Sequence, residues 1–500
     1  MTITTRLATA ALSGLLLAAT PTAPAAAQAQ PQYQPRATTQ TQKPTALPIT
    51  AADRQEGAKA HRQLLAEYGG PYSGPQVPYI ESIGKNIAVQ SGLGSAKTDF
   101  TVTMLNSPVE NAFANPGGYI YLTRQLAALA NNEAELAAVL GHEVGHVAAR
   151  HSAKRQSAAQ RNSIIGAIGS ILSGVVLGNT GLGQLGQQLF SSGSQLLTLK
   201  FSRAQESEAD QLAVTYLKRA GYDPTALGAI LQRLAAQNAL DAQLQGTSDS
   251  TPTWASTHPE PAARVRTALA LAGQARGITN RDAYLTRIDG LMYGDDPRQG
   301  MVEGRTFTHP EMKLTFTAPA GSFLANGTQA VSIGGQNGQG QFTSAPFSGD
   351  LDTYVRAVFG KLSSQAQLAP TQIERTTVNG IPAAYGQARV TTSDGPVDVT
   401  VFAYAFAQGQ AYHFVTIAPA GRGGAFDPMY RSLRRISTTE ASQIRPRRLR
   451  IVTVKAGDTI RTLAARMAYT DAPLQRFLVL NGLTETTRLP TGTKVKLVTY

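Results

Sequence analysis

Apolar residues fall at helical spacing over 51–68 and 80–90, and again from Glu135 through Arg150, so helices are expected there. Between the second and third, Phe100-Thr101-Val102-Thr103-Met104 alternates as a strand. Residues 111–114 and 119–122 are short runs flanking Asn115-Pro116-Gly117-Gly118, which reads as a hairpin turn. Asn132 and Glu135 stand three apart at the head of the third helix, as a cap and its reciprocal partner. Residues 164–178 are apolar, small and uncharged, but shorter than the roughly 20 residues of a bilayer span. Closely packed core helices are expected there, with a membrane-touching or substrate-gating element as the sharper alternative. Leu212, Tyr216 and Leu217 set a further helical pattern, and Asp223-Pro224 suits the start of the next helix. The pattern weakens over 276–304, a linker or extension. From Arg305 short strands separated by glycine turns take over (313–317, 330–333, 397–403 and 411–417), with a helix at 351–362 between them. This reads as an antiparallel α+β domain over 305–440.

The third helix carries His142-Glu143-Val144-Gly145-His146. Residues four apart on a helix share one face, so the two imidazoles can grip a single zinc ion and Glu143 can reach water activated beside it. With 7 His in 500 residues, a chance match to this spacing is improbable. Such a site needs a third protein ligand. The segment Glu206-Ser207-Glu208-Ala209-Asp210 offers carboxylates, and Glu206 and Asp210 share a helical face. Taken alone, that pair would read as solvated charge.

Four blocks together resemble one family: Asn111-Ala112-Phe113-Ala114-Asn115-Pro116-Gly117-Gly118-Tyr119-Ile120-Tyr121, His142 to His151, Glu206 to Asp210, and Thr257-His258-Pro259 with Arg264. They look like the zinc metallopeptidases that include the CAAX prenyl proteases, HtpX and the periplasmic BepA-type proteases. The resemblance covers about 51–275 and implies a mainly α, gluzincin-type domain with a small β-hairpin sheet. It implies His142, His146 and Glu206 as ligands of one zinc per chain, with Glu208 as the competitor for the third place. It implies Glu143 as general base, Asp210 as the partner that orients a zinc-bound His, and Arg264 near the cleft. For His258 two readings stay open: a transition-state hydrogen-bond donor or accessory ligand, and a loop-capping residue. His151 is expected to pack or cap the end of the motif helix. Asn111, Ala112, Phe113 and Ala114 are implied to edge the cleft, where an extended substrate could add as a strand. Gln125 departs from the family's usual Gly and touches no catalytic role. The 305–440 domain weakly resembles the PsbP-like fold; its His309 and His413 are too far apart in sequence to suggest a metal site. Residues 449–498 resemble a LysM domain, through Val452 to Ile460, Leu463-Ala464, Asn481-Gly482-Leu483 and Leu489 to Val495. That resemblance implies a small βααβ module and glycan binding, hence peptidoglycan as a partner, or a structural cap that has lost it. Arg466 to Leu474 departs from the usual spacing.

Residues 1–27 read as a secretory signal peptide: Arg6, an apolar run from Leu7 to Ala19, and Ala25-Ala26-Ala27 before the cut. Residues 28–50, rich in Pro, Gln and Thr, read as a disordered linker. No Cys is present, so neither disulfides nor a lipidated cysteine contribute. The net charge of +13 is concentrated in the tail, where 441–500 hold eleven Lys and Arg against three Asp and Glu. An exported chain with a basic tail suggests an anionic wall polymer or membrane surface; no aromatic-basic motif suggests nucleic acid. The expected protein is thus a periplasmic, wall- or outer-membrane-associated endopeptidase. Its substrates would be unfolded or misassembled envelope polypeptides. No stable transmembrane span is expected in the mature chain, while peripheral membrane contact stays open. Two alternatives stand beside it: a latent peptidase acting as chaperone or assembly adaptor, and a peptidoglycan hydrolase. The tail is expected to be removable without loss of peptide cleavage.

Overall fold

The helix bearing the motif starts where the sequence places its cap. Asn132 is extended, and its side chain accepts from the Glu135 backbone N–H at 2.9 Å. The Glu135 carboxylate reaches back to Asn131 N and to the Asn132 side chain. Two otherwise orphaned donors are satisfied reciprocally. The computed structural model describes residues 48–94, 97–151, 201–245, 258, 261–362, 368–392 and 395–500. The expectations for 1–27, for most of 28–50, and for 164–178 lie outside them. The described residues fall in one compact unit, Ala46–Tyr500.

In chain order the first elements are α1 (Ala51–Glu67), α2 (Val77–Ala88), β1 (Thr101–Leu105), β2 (Ala112–Asn115), β3 (Tyr119–Thr123), α3 (Arg124–Leu129) and α4 (Glu133–Ala148). Then come α5 (Arg203–Ala220), α6 (Ala226–Gln245), α7 (Pro261–Ala272) and α8 (Arg281–Ile288). α4 is buried nearly all round, from Glu133 through His146, and packs on α2, α5 and α6. Glycines let it approach closely: a Cβ at Gly145 would sit 3.2 Å from the Ala209 carbonyl of α5. The small sheet has the order β1-β3-β2, so β2 is its edge, and Gly117 and Gly118 take the left-handed φ the hairpin turn requires. α6 begins at Ala226, not at Asp223-Pro224: Asp223 uses its carboxylate on Thr225 in a turn first.

The stretch expected as a linker or extension is structured. α8 contributes buried Tyr284, Leu285 and Ile288, and β4 (Met292–Tyr293) follows. Next come β5 (Met301–Glu303), β6 (Thr306–His309), β7 (Leu314–Thr317), β8 (Ser322–Asn326), β9 (Val331–Gly335), β10 (Gly338–Pro346), α9 (Leu351–Leu362), β11 (Ile373–Val378), β12 (Ile381–Thr392), β13 (Gly395–Ala407) and β14 (Gln410–Pro419). A seven-stranded antiparallel sheet has the order β11-β12-β13-β14-β10-β9-β8. One face, with Val399, Val401, Ala403, Val415 and Ile417, packs on α9. The other carries an aromatic row, Tyr385–Phe402–Phe414–Phe342 across successive strands.

The chain closes with α10 (Asp427–Ser432), β15 (Arg434–Arg435), α11 (Thr438–Gln443), β16 (Arg447–Thr453), α12 (Ile460–Ala464), α13 (Pro473–Asn481) and β17 (Lys494–Thr499). The last four give the βααβ order. This segment does not hang from the body. β16 pairs with β17 and with β4, and Leu449, Leu463, Phe477, Leu480, Val495 and Leu497 share one hydrophobic core with α2, α4 and α6. Removing it would strip cover from the same core that holds the motif helix. This packing argues against the expectation that the tail can be deleted with cleavage intact. Among the described residues, no helix is long and apolar enough to cross a membrane.

Candidate metal centre

One turn of α4 separates His142 from His146, and their Nε2 atoms lie 3.0 Å apart. α5 crosses α4 and brings Glu206 in: its Oε2 is 3.5 Å from His142 Nε2 and its Oε1 is 3.5 Å from His146 Nε2. His258, just ahead of α7, sets Nδ1 at 3.3 Å from His142 Nε2 and 3.0 Å from Glu206 Oε1. These four residues are buried, and one ligand atom from each lies within 4.8 Å of every other. Four donors each about 2.0–2.1 Å from a tetrahedral zinc would lie roughly 3.3–3.4 Å apart. Five of the separations, taken to whichever Glu206 oxygen is nearer, are 3.0–3.5 Å and lie around that value. Three imidazoles and one carboxylate are also the donor types zinc takes. The residues therefore fit a zinc ion.

The partners behind the ligands fix which nitrogen faces inward. Asp210, one turn after Glu206, has Oδ1 at 3.0 Å from His142 Nδ1, so that nitrogen donates and Nε2 is left bare toward the centre. Arg264 of α7 donates to both Asp210 oxygens, with Nε at 2.8 Å from Oδ2, and also to Glu206. His146 is oriented through a second chain. Glu208 Oε2 accepts from His151 Nε2 at 3.1 Å, and His151 Nδ1 faces His146 Nδ1 at 2.8 Å. A neutral His151 that donates at Nε2 must accept at Nδ1, so His146 donates there and its Nε2 is bare as well. Phe201 stacks on His146 with ring centroids 3.7 Å apart.

Electrostatics match a site built for positive charge. Burial and the Arg264 charge oppose protonation of His142, yet hydrogen bonds to Asp210 and Glu206 raise it to about 9. Burial works against ionised Glu206 too, but His142 and His258 hold it well below the usual carboxylate range. Burial and the neighbouring His142 and His258 push His146 well down. The same bonds that favour charged His142 would favour a cation at the centre.

Each of the expected site residues can now be placed. His142, His146, Glu206 and His258 come together, with Glu143 Oε1 at 3.4 Å from His258 Nε2. Asp210 and Arg264 stand immediately behind. Glu208, half-exposed, points away to His151 and does not join the cluster. His151 does more than cap a helix end, because it orients His146. Asn111 to Ala114 do not offer their side chains. Asn111 donates to Tyr68 Oη at 3.1 Å, Ala112 is fully buried, and Phe113 stacks on Tyr121. What β2 presents is the backbone of an edge strand. Sequence reasoning missed Phe201 and the Glu208–His151 relay; the one available signal was His151 standing five residues after His146.

Residues 76–272 match the model of peptidase family M48, and residues 452–498 match that of the LysM domain. The chain carries an M48 peptidase domain. It is 33% identical over 228 residues to the beta-barrel assembly-enhancing protease of Escherichia coli O157:H7, covering 44% of this chain and 45% of that protein. It is 30% identical over 220 residues to the mitochondrial metalloendopeptidase OMA1 of Schizosaccharomyces pombe, covering 43% and 59%. The chain thus spans about half the length of the curated relatives it matches. Among solved structures, a cyanobacterial PsbP from Synechocystis sp. PCC 6803 is similar at 12% identity and a TM-score of 0.22, covering 26% of this chain and 91% of that one. A likeness at that level carries no argument about function.

Proposed function

We propose that the protein is a zinc-dependent endopeptidase of the periplasm, made with a signal peptide over 1–27. It would hydrolyse peptide bonds of unfolded or misassembled envelope proteins and be held at peptidoglycan by residues 449–498. The observation that carries this reading is the convergence of His142, His146, Glu206 and His258, one ligand atom from each within 4.8 Å of the others, beside Glu143. Zinc, when bound, supplies a Lewis acid that polarises a carbonyl and brings the pKa of water to about 7. Glu143 takes the proton from the attacking water and delivers it to the leaving amine. Asp210 and Arg264 hold His142 and Glu206 in place through the change of charge, and the Glu208–His151 pair does the same for His146. The edge of β2 pairs with an extended peptide, with the register set by backbone hydrogen bonds. The E. coli relative named for beta-barrel assembly supports envelope proteins as the substrate class.

His258 would be a fourth residue to hold the ion, in the place that the attacking water needs. His258 therefore has to withdraw before hydrolysis, and its NH is then free to donate to the developing oxyanion. The same contact favours a second reading, in which the chain rests latent and serves as a chaperone or adaptor. In the C-terminal module, Lys455 to Gly457 and Thr484 to Thr486 stay exposed while the opposite side is buried. That leaves the loops on both sides of α12 and α13 open to a glycan.

The test is digestion of casein and of purified peptidoglycan side by side, with and without a zinc chelator. Cleaved casein, intact glycan and loss of cleavage with chelator support the proposal. Cleaved glycan would support the hydrolase alternative, and no cleavage of either supports latency. Co-sedimentation with peptidoglycan sacculi at about 0.1 M and 1 M salt tests the wall contact, since the Debye length falls from about 10 Å to 3 Å. Binding that survives high salt marks a groove, and binding lost there marks only a basic patch.

A further inference from the structure

Lys496 lies on β17 of the C-terminal module, yet its side chain is fully buried against the peptidase. Its Nζ lies within hydrogen-bond distance of three successive carbonyls: Ala128 at 2.7 Å, Leu129 at 3.0 Å and Ala130 at 2.9 Å. Three carbonyls thus surround the amine, whose pKa burial and the Arg233 charge push well down, and they are the last carbonyls around α3, which that helix cannot satisfy internally. The backbone of Lys496 is itself held, because the Asn481 side chain accepts from its N–H at 2.7 Å and donates to its carbonyl at 2.9 Å.

The clamped segment runs straight into the cap of α4. Asn131 and Asn132 follow Ala130 directly, Asn132 is the N-cap, and Glu135 binds both. Glu135 in turn is gripped by Arg233 of α6. The C-terminal module touches that arginine too. Gly482, which ends α13 at a φ of 64°, packs so close that a Cβ there would lie 2.8 Å from Arg233 Nη2. Two groups from one module, Lys496 and Gly482, therefore seat the first turn of the helix that presents His142, Glu143 and His146. Where the helix starts decides where those side chains arrive roughly two and a half to three and a half turns later, since a buried helix moves as a rigid body.

We propose that Lys496 is a positioning residue for the metal-binding helix, supplied by the LysM module, so that this module is part of the peptidase's catalytic framework as well as a wall-binding device. The proposal rests on reading α4 as the carrier of the metal ligands.

The test uses the full chain with Lys496→Met, which keeps the length of the stem and removes the amine that the three carbonyls face. Lys494→Met on the same strand, whose ammonium reaches α8 at the surface, is the control. Gly482→Ala is the milder companion should Lys496→Met not fold. Zinc affinity is read by competition with a chromophoric chelator, the visible spectrum by cobalt substitution, amide exchange over 133–138 by mass spectrometry, and kcat and KM on a peptide. Lys496→Met should weaken zinc about tenfold, the scale of loss when groups supporting ligands are removed. It should also alter the cobalt spectrum, speed exchange over 133–138, and lower kcat while KM stays near wild type. Gly482→Ala should shift the same readouts in the same direction by a smaller factor, and Lys494→Met should shift none. A folded Lys496→Met chain, or Gly482→Ala in its place, with unchanged metal affinity, spectrum and exchange would overturn the proposal, even if its melting temperature fell. The two readings fail separately. A wild type that binds metal but cleaves nothing defeats the peptidase reading, and the affinity comparison still decides the role of Lys496. A wild type that binds no metal defeats the metal reading, and amide exchange over 133–138 then decides.

Discussion

Asp210→Asn isolates the hydrogen bond that sets the tautomer of His142. Asp210 is buried, accepts from His142 Nδ1 at 3.0 Å and takes two donors from Arg264. The amide has nearly the same shape but no charge, and one of its two ends becomes a donor. With its oxygen toward His142 the amide turns its NH2 on Arg264 Nε; flipped, it turns its NH2 on both His142 Nδ1 and Arg264 Nη2. Partners of this kind typically contribute a factor of about 10–100 in metal affinity, or about 1.4–2.7 kcal/mol. Glu208→Gln perturbs His146 only through His151, and Glu208 is half-exposed, so its loss should be a few fold. The assay is zinc competition on the full chain, with a melting curve to establish that each variant is folded. A folded Asp210→Asn protein with zinc affinity within about twofold of wild type would refute the reasoning. So would a larger effect from Glu208→Gln than from Asp210→Asn.

Two further outcomes are expected. Wild type should hold one zinc per chain; Glu206→Ala should sharply reduce that content and Glu208→Ala should not, measured by elemental analysis after dialysis, and reversed results would show that the third ligand is misassigned. His413 concerns the seven-stranded sheet, where burial and the nearby Lys361 charge push it down to about 4 while Tyr354 Oη holds Nδ1 at 2.8 Å. Its folded value lies below the ordinary 6.5, so the unfolded chain binds the extra proton and stability falls as pH drops from 6.5 toward 4. Between about pH 7 and pH 5 this amounts to about 2 kcal/mol. His413→Phe should shrink that acid-induced loss, read from urea midpoints at the two pH values; an undiminished loss would show that His413 is not its source.

The motif helix was legible in the sequence because its determinants are local. The two histidines, the Glu between them and the Asn132–Glu135 cap lie within fifteen residues, and helical geometry alone brings each pair together. The hairpin was legible for the same reason, through its two glycines at positive φ. The Glu208–His151–His146 relay was not, because it joins the ends of two helices through the crossing of α4 and α5. Strand order in the large sheet was not either, since β10 pairs with β14 across a helix and three strands. Lys496 was counted as one more tail charge. A lysine between Val495 and Leu497 reads as the solvent side of an alternating strand, but β17 is buried on both sides, and three carbonyls from another part of the chain replace water. The formal charge of the tail therefore overstates its basic surface. Phe113 misled in the opposite way: it belongs to the block that edges the cleft, yet its ring lies in a cluster with Tyr68 and Tyr121.

The most direct test of the central claim is Glu143→Gln compared with wild type, with zinc content and peptide hydrolysis measured on the same preparations. Glu143 lies beside the metal cluster and is assigned no bond to the metal. The variant should therefore keep one zinc per chain and lose about 10²–10⁴-fold in cleavage rate, the usual contribution of a general base. Cleavage near the wild-type rate, or loss of zinc along with activity, would contradict the account.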